Sequence, residues 1–175
     1  LLEYNKLRES TIIESDESLL WESRINSDKS YNGYIFPKVL NSNWLKKGNI
    51  NKEISINALN LFSKAIIDSW TIGEGHQEVS FSDQILSNNN QFYKKKLSRF
   101  KLHLLAMKAG HALYNHNRRF YYDPIYESFI PIYYDGNSKI IESEELNIKD
   151  INLIKKNSFL RDIENKDIDD AINEV

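Results

Sequence analysis

Between His111 and Asn137 the chain gathers side chains that could act together on a metal-bound phosphate. His111 is a candidate general base, since an unperturbed imidazole titrates near ~6.5 and can take up a proton at neutral pH. Asn117 and Asp135 are candidate metal ligands. Mg2+ is a hard cation that keeps octahedral oxygen ligands at ~2.1 Å and takes few protein groups alongside phosphates. Arg118 and Arg119 open a β-rich run, where alternation sends them to opposite faces, so that one can reach a phosphate or carboxylate. Asn115 and His116 stand in the same loop as further candidates. Each residue also has a plainer reading. Asp135-Gly136 is an ordinary turn pair, Asn117 a turn-stabilising residue, and His111 a helix cap after Gly110. Asp123 before Pro124 reads as a turn residue. A zinc site is disfavoured, because His111 and His116 are five apart and His76 and His103 show no ligand spacing to them.

The elements that would position these residues run in the order long helix, polar loop, two-stranded hairpin, Asp-Gly. Gln91 to Ala109 predicts a strong helix, with Phe92, Leu97, Phe100, Leu104, Leu105 and Met107 apolar and Lys94 to Lys96, Arg99 and Lys101 on other faces. His111 to Asn117 is too polar for a buried helix. Arg118 to Tyr122 and Ser128 to Tyr134 read as strands joined across Asp123-Pro124-Ile125-Tyr126-Glu127. The second run ends in a chain reversal at Asp135-Gly136-Asn137. A hairpin returns its second strand beside the loop that feeds its first, so Asp135 is expected close to Asn117. Kinase-like cores use this order to hold a catalytic residue, an Asn and an Asp around a metal that bridges nucleotide phosphates.

The segment His111-Ala112-Leu113-Tyr114-Asn115-His116-Asn117-Arg118-Arg119-Phe120-Tyr121-Tyr122-Asp123-Pro124, followed by Pro131-Ile132-Tyr133-Tyr134-Asp135-Gly136, resembles the catalytic half of CotH-type proteins, the spore-coat-associated atypical protein kinases and their relatives. The resemblance implies kinase-like phosphotransfer from Mg2+ or Mn2+ with ATP to a protein or small-molecule hydroxyl. It implies Asn117 and Asp135 at the metal, His111, Asn115 and Arg118 at the reacting groups, and Arg119 at the cofactor. Kinase loops usually carry an acid a few residues before their Asn. Here Ala112 stands at that distance and His111 one residue earlier, so either His111 replaces the acid as base or the catalytic acid is missing. Tyr31 to Lys38 offers a Gly and a Lys but no Gly-rich loop, so the chain is expected to be a fragment matching the second lobe, with the remaining part of the parent chain as a partner.

The rest of the chain reads as scaffold in one α+β domain over 1–175: a mainly helical lobe with a short antiparallel β-hairpin carrying the site. Residues 1–90 predict helical scaffold, 91–137 the helix, loop and hairpin, and 138–175 a C-terminal helical segment capped at Ser158. Within the scaffold, residues 1–27 predict one or two helices, Ser30 to Leu40 a short strand or extended loop, and Ser55 to Trp70 a core helix. Gly73-Glu74-Gly75-His76 reads as a helix stop and loop, in preference to a fragment of a phosphate loop. With 23 basic and 25 acidic residues the net charge is -2, which gives no overall attraction to nucleic acid or an anionic membrane. No apolar run approaches the ~18 residues of a membrane span. The absence of cysteine excludes disulfides and thiolate chemistry and fits a reducing compartment such as the cytoplasm. Two other functions fit the same residues: a metal-dependent hydrolase built on His111, His116 and Asp135, and a non-catalytic binding module whose surface is the tyrosine-rich hairpin of Tyr121, Tyr122, Tyr126, Tyr133 and Tyr134.

Overall fold

The structure, a computed structural model, describes residues 7–16, 18, 36–68, 81–107 and 109–138. The described part of the first segment is not the helix its leucines and isoleucines suggest. Ile12–Asp16 is a strand, β1, whose side chains alternate in burial. Thr11, Ile13 and Ser15 point inward, while Ile12, Glu14 and Asp16 are only half-buried. Two of the three inward positions are polar, which hides the period-two signal from a hydrophobic pattern.

β1 pairs antiparallel with β2 (Phe36–Val39) on one side and with β3 (Arg119–Asp123) on the other. β3 in turn pairs with β4 (Ser128–Ile132), giving a four-stranded sheet in the order β2-β1-β3-β4. The expected hairpin is therefore present as half of a larger sheet, and the class is α+β as expected. The register sets Lys38, Glu14 and Arg119 side by side across three strands. Both outer strands carry a proline, Pro37 opposite Ser15 and Pro131 opposite Phe120. Ser15 N donates to Arg118 O and Tyr122 N donates to Thr11 O, so these residues turn their amides toward the β1–β3 seam. In that register the two proline nitrogens face away from the sheet, the only places where a missing N–H costs no ladder bond.

Helices cover the inner face. After the single turn α1 (Ser42–Leu45) comes α2 (Asn49–Asp68), which presents Ser55, Ala58, Phe62, Ala65 and Ile66 inward at helical spacing. This stripe packs on Ile13, Phe120, Tyr122 and Phe129. Phe62 sits at its centre, with ring centroids 5.0 Å from Phe81, 5.4 Å from Phe120 and 5.7 Å from Phe129. Ile56 and Ile67, apolar residues of the expected core helix, are exposed because the inward stripe is narrower than the helix's apolar pattern. α3 (Asp83–Leu86) leads into α4 (Gln91–Ala106), which Asn90 caps by accepting from Phe92 N at 3.0 Å. α4 stops before the expected Ala109. Ala109 N closes onto Leu104 O, and Leu104, Ala109, Ala112 and Leu113 form a second small core beneath the loop that follows. The Gly73–His76 loop and the C-terminal helix expected from Ser158 lie outside the described residues. Among the described residues no helix is long and apolar enough to cross a membrane.

Candidate functional site

The polar loop is two consecutive 3-10 turns, Gly110–Leu113 and Asn115–Asn117. Such tight turns hold side chains in fixed directions. Ala112 and Leu113 point into the small core, which leaves His111 and Tyr114 facing out. Asn117 closes the loop buried against it, 2% exposed. The chain then runs through β3 and β4 and returns at Asp135, so the hairpin brings this residue back to the loop.

His111 is the point where they meet. Its Nδ1 lies 2.8 Å from Asp135 O, 3.5 Å from Asp135 Oδ2 and 2.9 Å from Asn117 Nδ2. Asp135 O can only accept and Asn117 Nδ2 can only donate, so Nδ1 serves one or the other according to the tautomer, and the Nδ1–H form is the one that donates to Asp135 O. Asn117 Nδ2 is then better satisfied by His111 O, also at 2.9 Å. The imidazole is left with its lone pair on Nε2, on a side chain 45% exposed. Tyr114 and His116 stack beside it, with centroids 5.8 Å apart and planes 13° off parallel. Asn117 and Asp135 thus both lie against His111, the first bonded at its carbonyl and the second at Nδ1.

Asp135 has a φ of 44°, in the left-handed region, and Asn137 has a φ of 47°. Between them Gly136 lies against the Tyr133 ring so closely that a Cβ there would sit 2.5 Å from Tyr133 Cε2. Asp135 also forms one wall of an open cleft of about 400 Å³ on the sheet's outer face. Glu14 and Asp16 of β1, Lys38 of β2 and Arg119 of β3 also line it, with Tyr134 beside Asp135. Glu14 is shared by two cations. Arg119 Nε and Nη2 each reach Glu14 Oε2 at 3.1 Å, and Lys38 Nζ lies 3.7 Å from Oε1. The Arg119 guanidinium also lies over the Tyr134 ring, 3.3 Å from its centroid. Asp16 Oδ1 accepts from Ser18 Oγ at 2.6 Å and from Ser18 N at 3.0 Å. The Ser18 hydroxyl bond first, and its N–H second, hold the Asp16 carboxyl below the usual value.

The structure does not bring every candidate to this place. Arg118 and Arg119 do take opposite faces, and Arg118 takes the inner one. It is 5% exposed, with its guanidinium over the rings of Phe81 and Phe120 at 5.4 and 5.1 Å. A side chain packed into the core beneath the sheet does not reach the cleft on its outer face. The Asn115 side chain lies outside the described residues. Of the five hairpin tyrosines, Tyr121 and Tyr122 are core residues, and Tyr126 and Tyr133 are exposed near opposite ends. No continuous tyrosine surface results. Among the described residues no group of three or more His, Cys, Asp or Glu side chains could hold a metal ion.

Glu14, Asp16 and Lys38 are not legible as site residues, and Tyr134 is legible only as a member of the tyrosine-rich hairpin. The signal for Glu14 and Lys38 was the alternation of charged and inward residues in two short strands. Asp16 followed by Glu17 and Ser18 reads more readily as a helix start. No protein-family model matches the chain, and comparison with curated proteins and with solved structures gave no match. The functional reading rests on these residues themselves.

Proposed function

We propose that this chain carries the reacting half of a kinase-like phosphotransferase, moving a phosphoryl group from a metal-nucleotide to a hydroxyl of a protein or small molecule. The observation that carries this reading is the meeting of His111, Asn117 and Asp135, of which Asp135 also lines a charged cleft of about 400 Å³. Phosphoryl transfer asks little covalent chemistry of a protein and much positioning of charge, which a rigid sheet edge and a braced loop can provide. In this reading His111 Nε2 accepts the proton of the attacking hydroxyl. Its ring is oriented for the task by the Nδ1 bond to Asp135 O, as bases are commonly held by the group behind them.

The proposed cofactor is Mg2+ or Mn2+ with ATP. Asp135 offers a half-exposed carboxylate and Asn117 an amide whose nitrogen is committed to His111, so that its oxygen is the ligand atom. One carboxylate and one amide suit a cation that draws its remaining ligands from phosphates and water. Bound there, the ion would neutralise charge on the transferring phosphate. Lys38, half-exposed at the cleft wall, is placed to meet a phosphate oxygen. The remaining phosphate contacts fall to the rest of the parent chain. The test is calorimetry on the full-length protein with MgATP and MnATP. Metal-dependent ATP binding that Asp135→Asn abolishes supports the reading, and absence of such binding removes it.

A further inference from the structure

We propose that Arg119 is a positioning residue, which, tied to Glu14 and stacked on Tyr134, fixes the Asp135 carbonyl on His111 Nδ1 and so sets the imidazole tautomer with Nε2 free. The phosphotransfer reading enters only in the use made of Nε2. The inference about the tautomer is drawn from the contacts and does not depend on that reading.

Two anchors hold the guanidinium. Its Nε and Nη2 converge on Glu14 Oε2, 3.1 Å each, which fixes Arg119 to the neighbouring strand. Its flat face lies 3.3 Å from the Tyr134 centroid, a geometry open to a planar guanidinium and closed to an ammonium. Tyr134 is the residue immediately before Asp135. Asp135 sits in the left-handed region, which Asp tolerates better than most side chains, and its neighbours on both sides hold it there. The bracing comes from both sides. Arg119 holds Tyr134, and on the other side Tyr133 covers Gly136 and donates its hydroxyl toward Ser138 Oγ at 3.4 Å. The product of this brace is the placement of Asp135 O, 2.8 Å from His111 Nδ1. A guanidinium spent in this way has little left for a cofactor phosphate, so Arg119 acts on the site through Tyr134 and Asp135.

The experiment is nitrogen NMR of the histidine rings in the full 175-residue chain, above the ordinary imidazole titration range, with the His111 signals assigned by their loss in His111→Gln. The wild type is expected to show a single Nδ1–H tautomer for His111. Arg119→Lys keeps the charge pair with Glu14 but cannot stack, and Tyr134→Leu removes the ring. Both are expected to shift His111 toward the Nε2–H form that free histidine prefers. Tyr134→Phe keeps the ring and retains the wild-type signature, as does Lys38→Met, which removes only the other cation on Glu14. A wild type with mixed tautomers overturns the proposal. So does an unchanged signature in both Arg119→Lys and Tyr134→Leu, or an equal shift in Lys38→Met. If Arg119→Lys does not fold, the contrast between Tyr134→Leu and Tyr134→Phe decides. A fixed tautomer in a full-length protein that binds no metal-nucleotide leaves this inference standing and removes the phosphotransfer reading.

Discussion

Replacing Arg118 with methionine should leave the protein as stable as before or make it more stable. The guanidinium is buried on the inner face, where its Nε and Nη2 have no hydrogen-bond partner among the described residues. Burial alone pulls its pKa down to about 10, with Asp83 giving partial relief. A drop of that size corresponds to about 3 kcal/mol spent on keeping the charge in the folded state. That penalty is present in full at neutral pH, where folded and unfolded chains are both protonated. It shrinks only as the pH climbs past about 10, because the unfolded chain then holds its proton longer than the folded one. Against the gain stand two contacts with the rings of Phe81 and Phe120, worth about 0.5–1 kcal/mol each at exposed sites and up to ~2 when desolvated. A methionine fills much of the same volume and recovers part of this through sulfur–ring contacts of ~0.3–1.5 kcal/mol. The balance is a stabilisation of about 1 kcal/mol, within the range seen when buried charges are exchanged for apolar groups. It should appear in urea as a higher midpoint at unchanged slope, and on heating as a Tm raised by roughly 2–4 °C. Asp83→Ala should do the opposite. It takes the buried ion-pair partner from Lys101 and leaves two uncompensated cations, at a cost of about 3–5 kcal/mol. A loss of ~2 kcal/mol or more in Arg118→Met would refute the reasoning, since it would mean that the guanidinium is well paired in solution.

Three further outcomes are expected. Asp135→Asn should change stability by less than about 1 kcal/mol, since Asn tolerates the left-handed region, while metal-dependent ATP turnover by the full-length protein falls by orders of magnitude. Paired melting and turnover measurements check this, and unchanged turnover rejects the metal role. Phe62→Ala should cost about 3–5 kcal/mol by denaturant titration, because it empties the point where Phe81, Phe120 and Phe129 converge. Burial first, and the Glu127 charge second, push the Tyr122 phenol up to about 12, while burial and the bond to Asp123 raise Tyr93 further. The stability these two phenols provide is complete below about pH 10, the ordinary phenol value, and is lost as the pH rises through the folded values. Tyrosinate absorbance should therefore show both ionising together with loss of the circular dichroism signal. All ten tyrosines titrating below that point with the fold intact would contradict it.

What could be seen in the sequence follows from how local each signal is. The helix from Gln91, the hairpin and the return of Asp135 to the loop are written in stretches of a few residues, where periodicity and turn chemistry act directly. The meeting of His111, Asn117 and Asp135 is a consequence of hairpin closure over a short separation. The cleft is different in kind. Part of its lining comes from β1 and β2, and the contact between Glu14 and Arg119 joins residues 105 positions apart. Ser15 and Thr11 face the core where a hydrophobic pattern looks for Val or Ile, so β1 disappeared among helical signals. Arg118 was misplaced for a related reason. Alternation separates it from Arg119 but does not say which of the two faces the helices cover.

The two outward-facing proline nitrogens have a consequence for how this molecule meets others. A bare outer strand is a template on which a foreign strand can zip, amide by amide, and chains with such borders are prone to stack into fibres. At Pro37 and Pro131 the template lacks a donor on both borders of the sheet, so an incoming strand would lose a rung near the middle of either side. Recruitment by strand addition is thereby discouraged at both margins. A visitor to this sheet is directed to its broad outer surface, where Lys38, Glu14 and Arg119 stand in a row and Asp135 closes one end.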